Sequence, residues 1–402
     1  MFNIRGRLVP RVWEHDPTIY APPRYRRACK YEAFVPDFIA GASFALDSWT
    51  ANAISEAEAA IHRLNAEARP ALAPLSRLLL RTESIASSKV EGLQLGARQL
   101  ARAEARLETG GRAGAVTLEI LGNIDAMELA IAEAVEVERF GVAEIASIHR
   151  KLMERAADPR TPGGIRTVQN WIGGNDFNPC GADFVPPPAE ELEELLSDLC
   201  RAVDDDALPP ILHAALVHAQ FETIHPFEDG NGRTGRTLIH VVLRRRGLTP
   251  AYVPPISVIL AVERDRYIEA LTAYRFAEPT TWIEHFAAAA TRSARLASAY
   301  LDAVAHLMDT WRDLLDAAGA PRADAAAWAV IDVLPAHPVI TSPVAAAATG
   351  RAKSAIHQAM AELEAAGVLL PLSRARRNRA WEATGLLELL ERLEAGEPPT
   401  VQ

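Results

Sequence analysis

Apolar residues recur at helical spacing along most of the chain. Between residues 47 and 65, Ile54, Ala57, Ile61 and Leu64 fall three or four apart, the stripe of an amphipathic helix. Pro70 and Pro74 interrupt the pattern, and Leu75, Leu78 and Leu79 restart it. Residues 81–91 read as a short helix that Gly92 stops, since glycine tolerates the left-handed conformation that ends helices. The same period predicts helices over 97–108, 116–137, 142–155, 189–203, 211–224 and 234–246, and further on over about 263–275, 280–290 and 293–316. Residues 1–46 are rich in Pro, Arg and Tyr, have no helical period, and read as an extended lead-in.

Two places break the helical texture. In residues 158–188, Pro162-Gly163-Gly164, Gly173-Gly174 and Pro186-Pro187-Pro188 bracket a β-favouring run at 165–172, which predicts a hairpin or flap set into a helical domain. The second is the small-residue stretch Ala317-Ala318-Gly319-Ala320-Pro321, read as a domain boundary. Beyond it, short helices are expected at 323–334, 343–349 and 354–365, then strands at 368–370 and 379–381 around a basic turn. That order is winged-helix-like. The expected fold is mainly α: a helical bundle with a β-hairpin flap, followed by a small α+β domain. The expected domains are an N-terminal region 1–110, a core 111–316 and a C-terminal module 321–395. There is no internal repeat.

A chain of 402 residues holds two or three domains, each with its own core. Its net charge of -10 excludes a molecule that is basic throughout and grips nucleic acid or anionic membrane by bulk attraction. Two local basic patches remain: Arg5, Arg7, Arg11, Arg24, Arg26, Arg27 and Lys30, and then Arg374, Arg376, Arg377 and Arg379. Cys29, Cys180 and Cys200 show no CxxC spacing, and so few cysteines argue against a disulfide framework or a structural zinc site. No apolar run is long enough to span a bilayer and no signal peptide is seen, so the expected compartment is the reducing cytoplasm, with no membrane partner.

The stretch with the most chemistry is His225-Pro226-Phe227-Glu228-Asp229-Gly230-Asn231-Gly232-Arg233-Thr234-Gly235-Arg236. A helix is expected to end near Ile224 and another to begin near Thr234. Glycines ahead of a helix let backbone N–H groups converge on an anion, and the helix dipole adds positive potential. Arg233 and Arg236, three apart, share a face of the first turn and can fork onto phosphate oxygens. Asp229 offers a hard oxygen to a divalent cation, and His225 is a base that works near neutral pH. Together they describe a polyphosphate site with a metal and a base beside it. It is not a P-loop, because no GK[ST] follows.

These twelve residues resemble the signature of the Fic family, HxFx[DE]GNGRxxR, at every defined position. The resemblance implies a protein adenylyltransferase using ATP and Mg2+, with the likeness covering residues 1–310 and weakening outward from the motif. It implies that His225 is the general base for a target Ser, Thr or Tyr hydroxyl and that Asp229 ligates the metal. Gly230, Asn231, Gly232, Arg233, Thr234, Gly235 and Arg236 would bind the phosphates, and Phe227 would be a buried anchor. Ser87-Ser88-Lys89-Val90-Glu91-Gly92 resembles the family's inhibitory pattern [ST]xxxE[GN], within a helix at about 84–92. Ser87, Glu91 and Gly92 are its defined positions, and the glutamate is implied to engage Arg236 and so spoil productive ATP binding. The run Thr167, Val168, Gln169, Asn170, Trp171 and Ile172, within 165–174, resembles the flap that aligns a target segment.

Other readings stay open at this stage. The donor is another nucleotide, or the chain removes AMP; or a winged-helix regulator contacts DNA and the Fic-like part senses nucleotide. The partners implied are ATP and a protein substrate, the chain itself included, with pairing into a homodimer. His213, His218 and His240 are assigned packing or capping roles, since the spacing of a zinc-binding helix is absent. Tyr267, Trp282 and Phe286 read as core aromatics.

Overall fold

The computed structural model describes residues 6–15, 17–18, 20–66, 74–158, 160–319, 321–372 and 379–400. In these, the helical stripes become helices α1 Ser48–Ala66, α2 Pro74–Val90, α3 Ala97–Glu108, α4 Ala115–Glu136, α5 Val142–Met153, α6 Leu192–Asp204, α7 Pro210–Ile224, α8 Asn231–Arg245, α9 Ile256–Val262, α10 Arg264–Phe276 and α11 Pro279–Gly319. The C-terminal part holds α12 Ala326–Val333, α13 Ser342–Thr349, α14 Lys353–Ala365 and α15 Leu386–Glu394. The strands are β1 Gly6–Trp13, β2 Cys29–Pro36, β3 Val339–Thr341, β4 Leu369–Pro371 and β5 Ala380–Ala383. Among the described residues no helix is both long and apolar enough to cross a membrane. The chain divides into two units, residues 1–58, 125–247 and 265–288 in the first, and 59–124, 248–264 and 289–402 in the second.

At the centre of the first unit lies α7. Every residue from Ile211 to Ile224 is buried, as befits a helix apolar on all sides. Its polar groups are met inside the unit: His213 Nε2 bonds Ala202 O at 2.6 Å, His218 Nε2 bonds the Tyr267 hydroxyl at 2.9 Å, and Trp282 Nε1 donates to Ala215 O at 2.8 Å. These histidines and aromatics are core, as their sequence context suggests. α8 packs closely along α7 because position 235 is glycine. A Cβ there would lie 2.5 Å from Glu222 Oε1 and 3.0 Å from the Phe221 ring.

The expected extended lead-in is in fact an antiparallel hairpin of β1 and β2, in register from Gly6 opposite Pro36 to Trp13 opposite Cys29. Its strands are joined by a long connection, so no tight-turn signal announces the pairing. Arg7 and Arg11 of the first basic patch form ion pairs with Glu191 and Glu190, so the patch is partly neutralised. Cys29 and Cys180, 151 residues apart, form a disulfide with their Cα atoms 6.2 Å apart, contrary to the expectation drawn from cysteine spacing. Only the fold brings them together.

In the second unit, α2 begins at Pro74 and joins the restarted stripe of Leu75, Leu78 and Leu79 to the short helix expected at 81–91. Gly92, at φ 86°, turns the chain after it, with Gly92 N donating to Lys89 O and Leu93 N to Ser88 O. Three polar contacts fix α2. Asn123 Nδ2 donates to Ser84 O and Ser88 Oγ, Arg264 Nε donates to Val90 O, and the fully buried Glu83 carboxylate accepts from Ser257 N and Ser257 Oγ at 2.7 and 2.5 Å. That carboxylate sits on the N-terminus of α9, where the helix dipole favours negative charge. The seven-residue run of α9 is apolar but for Ser257 and rich in β-branched Ile and Val, which by pattern alone fits a strand as well as a helix.

The C-terminal part of this unit combines short helices with a small sheet, which has one strand more than the sequence reading. Val339–Thr341 forms β3 between α12 and α13, giving an antiparallel sheet of order β3-β5-β4. The module is tied to α3 by Arg98 and Arg102, which both reach the buried Glu382. Arg374, Arg376 and Arg377 of the expected basic turn lie outside the described residues. Arg379 pairs with Glu364 and lies over the Trp381 ring. The expected helices at 280–290 and 293–316 are a single helix, α11, and α15 adds a helix after the sheet.

Replacing Glu83 by Ala orphans the buried Ser257 amide and hydroxyl. The expected loss is about 1–3 kcal/mol for each unsatisfied group, read as a lower denaturant midpoint against wild type. An unchanged midpoint would remove Glu83 as the anchor of α2.

Candidate active site

His225 ends α7 in the left-handed region, at φ 50° and ψ 59°, a conformation that costs a non-glycine residue roughly 1–2 kcal/mol. The strain is held from outside. Arg166 Nε and Asn170 Nδ2 donate to His225 O at 2.9 and 3.2 Å. Arg166 N donates to Pro226 O at 2.9 Å. Asn170 Nδ2 and Asn231 Nδ2 both donate to Phe227 O, at 2.9 and 2.8 Å, while Asn231 Oδ1 accepts from Phe227 N at 2.9 Å. The loop is therefore clasped from the 165–172 segment on one side and from the start of α8 on the other.

A further clasp comes from His149 on α5. Its Nδ1 accepts from Gly163 N at 2.9 Å, which leaves Nε2 to carry the proton and donate to Asp229 O at 3.0 Å. The ring stacks flat on fully buried Phe227, centroids 3.7 Å apart at 6°. Burial lowers the His149 pKa to about 4, against the opposing effect of its bond to Asp229, so the imidazole is neutral. Burial also lowers the Arg166 pKa, to about 10, which leaves the guanidinium charged at neutral pH. It spends that charge on the carbonyls of His225, Val168 and Pro187. Neither role was legible in the sequence. His149 sits on an apolar helix stripe with Ile145, Ile148 and Leu152, where a histidine ordinarily reads as packing.

From this loop α8 begins at Asn231, three residues earlier than expected. Gly230 takes φ 76° to open it, and Thr234 N closes the first turn on Gly230 O at 3.0 Å. Asn231, Gly232 and Arg233 thus lie in the first turn, where amide groups have no intrahelical partner. Arg233 and Arg236 are both buried. Arg233 Nη2 lies 3.9 Å from Asp229 Oδ2, an attraction looser than a hydrogen bond. The Asp229 side chain is 60% exposed, and its Oδ1 accepts from Gly230 N at 2.7 Å. Among the described residues no group of three or more His, Cys, Asp or Glu side chains is gathered as for a metal held by protein alone. The arrangement suits an anion: a helix N-terminus, two buried guanidinium groups, a carboxylate at the mouth and an imidazole at the neighbouring helix end.

The expected flap turns back on itself through one antiparallel bridge, Ile172 to Phe184, in place of a longer ladder. The reason lies in where its donors point. Gln169 Nε2 donates to Pro186 O and Asn170 to the motif loop, while Thr167 and Val168 face outward. Trp171 Nε1 is held on Asn175 O at 2.6 Å. The first unit thus brings together His225, Asp229, the 230–236 segment and the flap. Ser87, Glu91 and Gly92 belong to the second unit: Ser87 is buried in α2, and Glu91 follows its last residue at an exposed position.

Residues 139–243 match the Fic/DOC family, and residues 51–132 match the Fic/DOC family N-terminal region. Protein adenylyltransferase Fic of Nematostella vectensis is 31% identical over 205 residues, which are 50% of this chain and 44% of that protein. Protein adenylyltransferase fic-1 of Caenorhabditis briggsae is 34% identical over 122 residues, 30% of this chain and 22% of that protein. The matched stretches span less than half the length of these relatives. The crystal structure of a Fic family protein from Desulfovibrio desulfuricans has the same fold, with TM-score 0.52 at 21% identity over 85% of this chain and 98% of that one.

His149 and His213 are both buried neutral, each with its pKa lowered to about 4. Between about pH 6.5 and pH 4 the unfolded chain binds protons at these sites and the folded chain does not. Stability is therefore full above pH 6.5 and falls with pH across that window, by about 3 kcal/mol per histidine. A His149→Gln variant should show a flatter fall between those values in denaturant titrations; an identical slope would mean that His149 is protonated in the fold.

Proposed function

We propose that this chain, whose residues 51–132 and 139–243 match the Fic/DOC family, is a protein adenylyltransferase that moves AMP from ATP to a Ser, Thr or Tyr hydroxyl. The observation that carries the reading is the clasped loop between α7 and α8. It holds a base, a carboxylate and an amide-lined helix start with two arginines within a dozen residues of chain. The carbonyls that would repel a phosphate are engaged by Arg166, Asn170, Asn231 and His149. The two relatives above, named as protein adenylyltransferases, point the same way.

In this reading the N-terminal turn of α8 and Arg233 and Arg236 receive the triphosphate, and Gly230 and Gly232 let it approach the backbone. The target hydroxyl oxygen forms a bond to the α-phosphorus, the bond from that phosphorus to the bridging oxygen breaks, and pyrophosphate leaves. The hydroxyl proton passes to the His225 imidazole. Positioning and charge neutralisation supply most of the acceleration. Mg2+ fits the donor set, because it is usually bound by one or two carboxylates plus substrate phosphates, and Asp229 is an exposed carboxylate anchored at one oxygen. When bound, the ion would neutralise charge on the phosphates.

Glu91 is assigned the restraining role. The pattern Ser87 to Gly92 supports it, and so does the fixing of α2 by Glu83, Asn123 and Arg264, which gives the residue after the helix a defined starting point. A carboxylate on Arg236 would compete with the γ-phosphate for the same guanidinium.

Two variants test the proposal. His225→Ala should lower transfer at least about 100-fold, the usual worth of a general base, and leave ATP affinity within about twofold; retained transfer would remove His225 from the chemistry. Glu91→Gly, incubated with ATP and Mg2+, should gain the mass of AMP and exceed wild type in self-modification. A gain only with GTP, UTP or CTP would transfer the assignment to another donor.

A further inference from the structure

The groove beside the flap is walled by the opposite end of the chain. It is an open cavity of about 750 Å³, lined by Trp13 of β1, by Val168 and Trp171 of the flap, and by Arg160, Asp176 and Glu228 among others. Trp13 stands edge-on to Trp171, centroids 5.7 Å apart, and Val168 is 57% exposed. The N-terminal hairpin is fastened to the flap excursion at four further points. Phe34 N donates to Val185 O at 2.9 Å, Asn178 Nδ2 donates to Tyr25 O at 2.8 Å, and Tyr25 stacks on Phe177 at 5.3 Å. The fourth is the Cys29–Cys180 disulfide, and Cys29 is the residue opposite Trp13 in the strand register. The tryptophan wall is thus bound to the flap by covalent and polar links at its own end of the hairpin.

We propose that this groove is a target subsite in which Trp13 and Trp171 take a bulky apolar or aromatic side chain of an extended protein segment, next to a basic residue of that segment. The inference rests on the adenylyl-transfer reading. Three observations select this occupant. Glu228 lies in the loop that carries His225, so one wall of the groove belongs to the loop that bears the proposed base. Exposed Asp176 and Glu228 outnumber Arg160, which disfavours a phosphate and favours a cationic side chain. Paired tryptophans held in fixed orientation make the apolar anchor point of a binding surface, since little side-chain entropy remains to be lost.

The test uses the Glu91→Gly protein, Mg2+, an alkyne-tagged ATP analogue and a bead-displayed library of peptides, each with one central Ser, Thr or Tyr in randomised flanks. Captured peptides should be enriched at least about fivefold in aromatic or large aliphatic residues together with Lys or Arg. In Trp13→Ala the apolar preference should flatten, in Trp13→Phe it should persist, and in Asp176→Asn the basic preference should weaken, all with the KM for ATP unchanged. Labelled peptides without these preferences, or with the same preferences in Trp13→Ala, would overturn the subsite and leave the transfer reading standing. Self-labelling with no labelled peptide would overturn it equally. Absence of both self-labelling and peptide labelling would instead bring down the transfer reading, and the subsite with it.

Discussion

The first unit depends on one constraint: the peptide carbonyls between α7 and α8 must be bonded by buried donors. The carbonyls of His225, Pro226, Phe227 and Asp229 are taken by Arg166, Asn170, Asn231 and His149. A buried carbonyl without a donor costs about 1–3 kcal/mol, and His225 adds a strained backbone to that cost. With the donors present, the strained turn is the lowest state available. It is also the turn that sets an imidazole at one helix end beside the amide-rich start of the next. Stability and chemistry draw on the same bonds here.

These donors come from separate stretches of chain, and each does a second task. Arg166 and Asn170 hold the motif loop with their side chains, while their neighbours Thr167 and Val168 face outward from the same segment. The loop and the flap therefore cannot vary independently. That explains why the flap has one bridge to Phe184 and no long ladder: its polar side chains are committed inward. The hairpin of β1 and β2 then supplies the outer packing that the short bridge lacks, through Tyr25 on Phe177 and Phe34 on Val185.

The second unit solves a different problem, the placing of a helix that must end at a defined residue. α2 is held by buried polar contacts at Glu83, Ser84 and Ser88, with Gly92 closing its end. Polar contacts of this kind specify register more narrowly than apolar packing, because a shift of one residue leaves every partner unsatisfied. The same unit carries the small three-stranded sheet, joined to α3 through Glu382, on whose carboxylate Arg98 and Arg102 converge.

Taken alone, the sequence determined the helical character of the chain, the ends of most helices, the stop at Gly92, and the twelve-residue run from His225 to Arg236. Each of these is local: a period of three to four residues, a glycine at positive φ, or a side-chain set close together along the chain. Tertiary structure decided what depends on distant partners. The pairing of β1 with β2 joins strands across a long connection. The helix α9 is an apolar run whose helical state is supported by Glu83, and β3 exists because β5 returns beside it. The roles of His149 and Arg166 show only when their acceptors, 80 and 59 residues away, come into view. A hydrogen bond between remote residues leaves no periodic trace in either segment, so only the folded chain shows which donors meet which carbonyls.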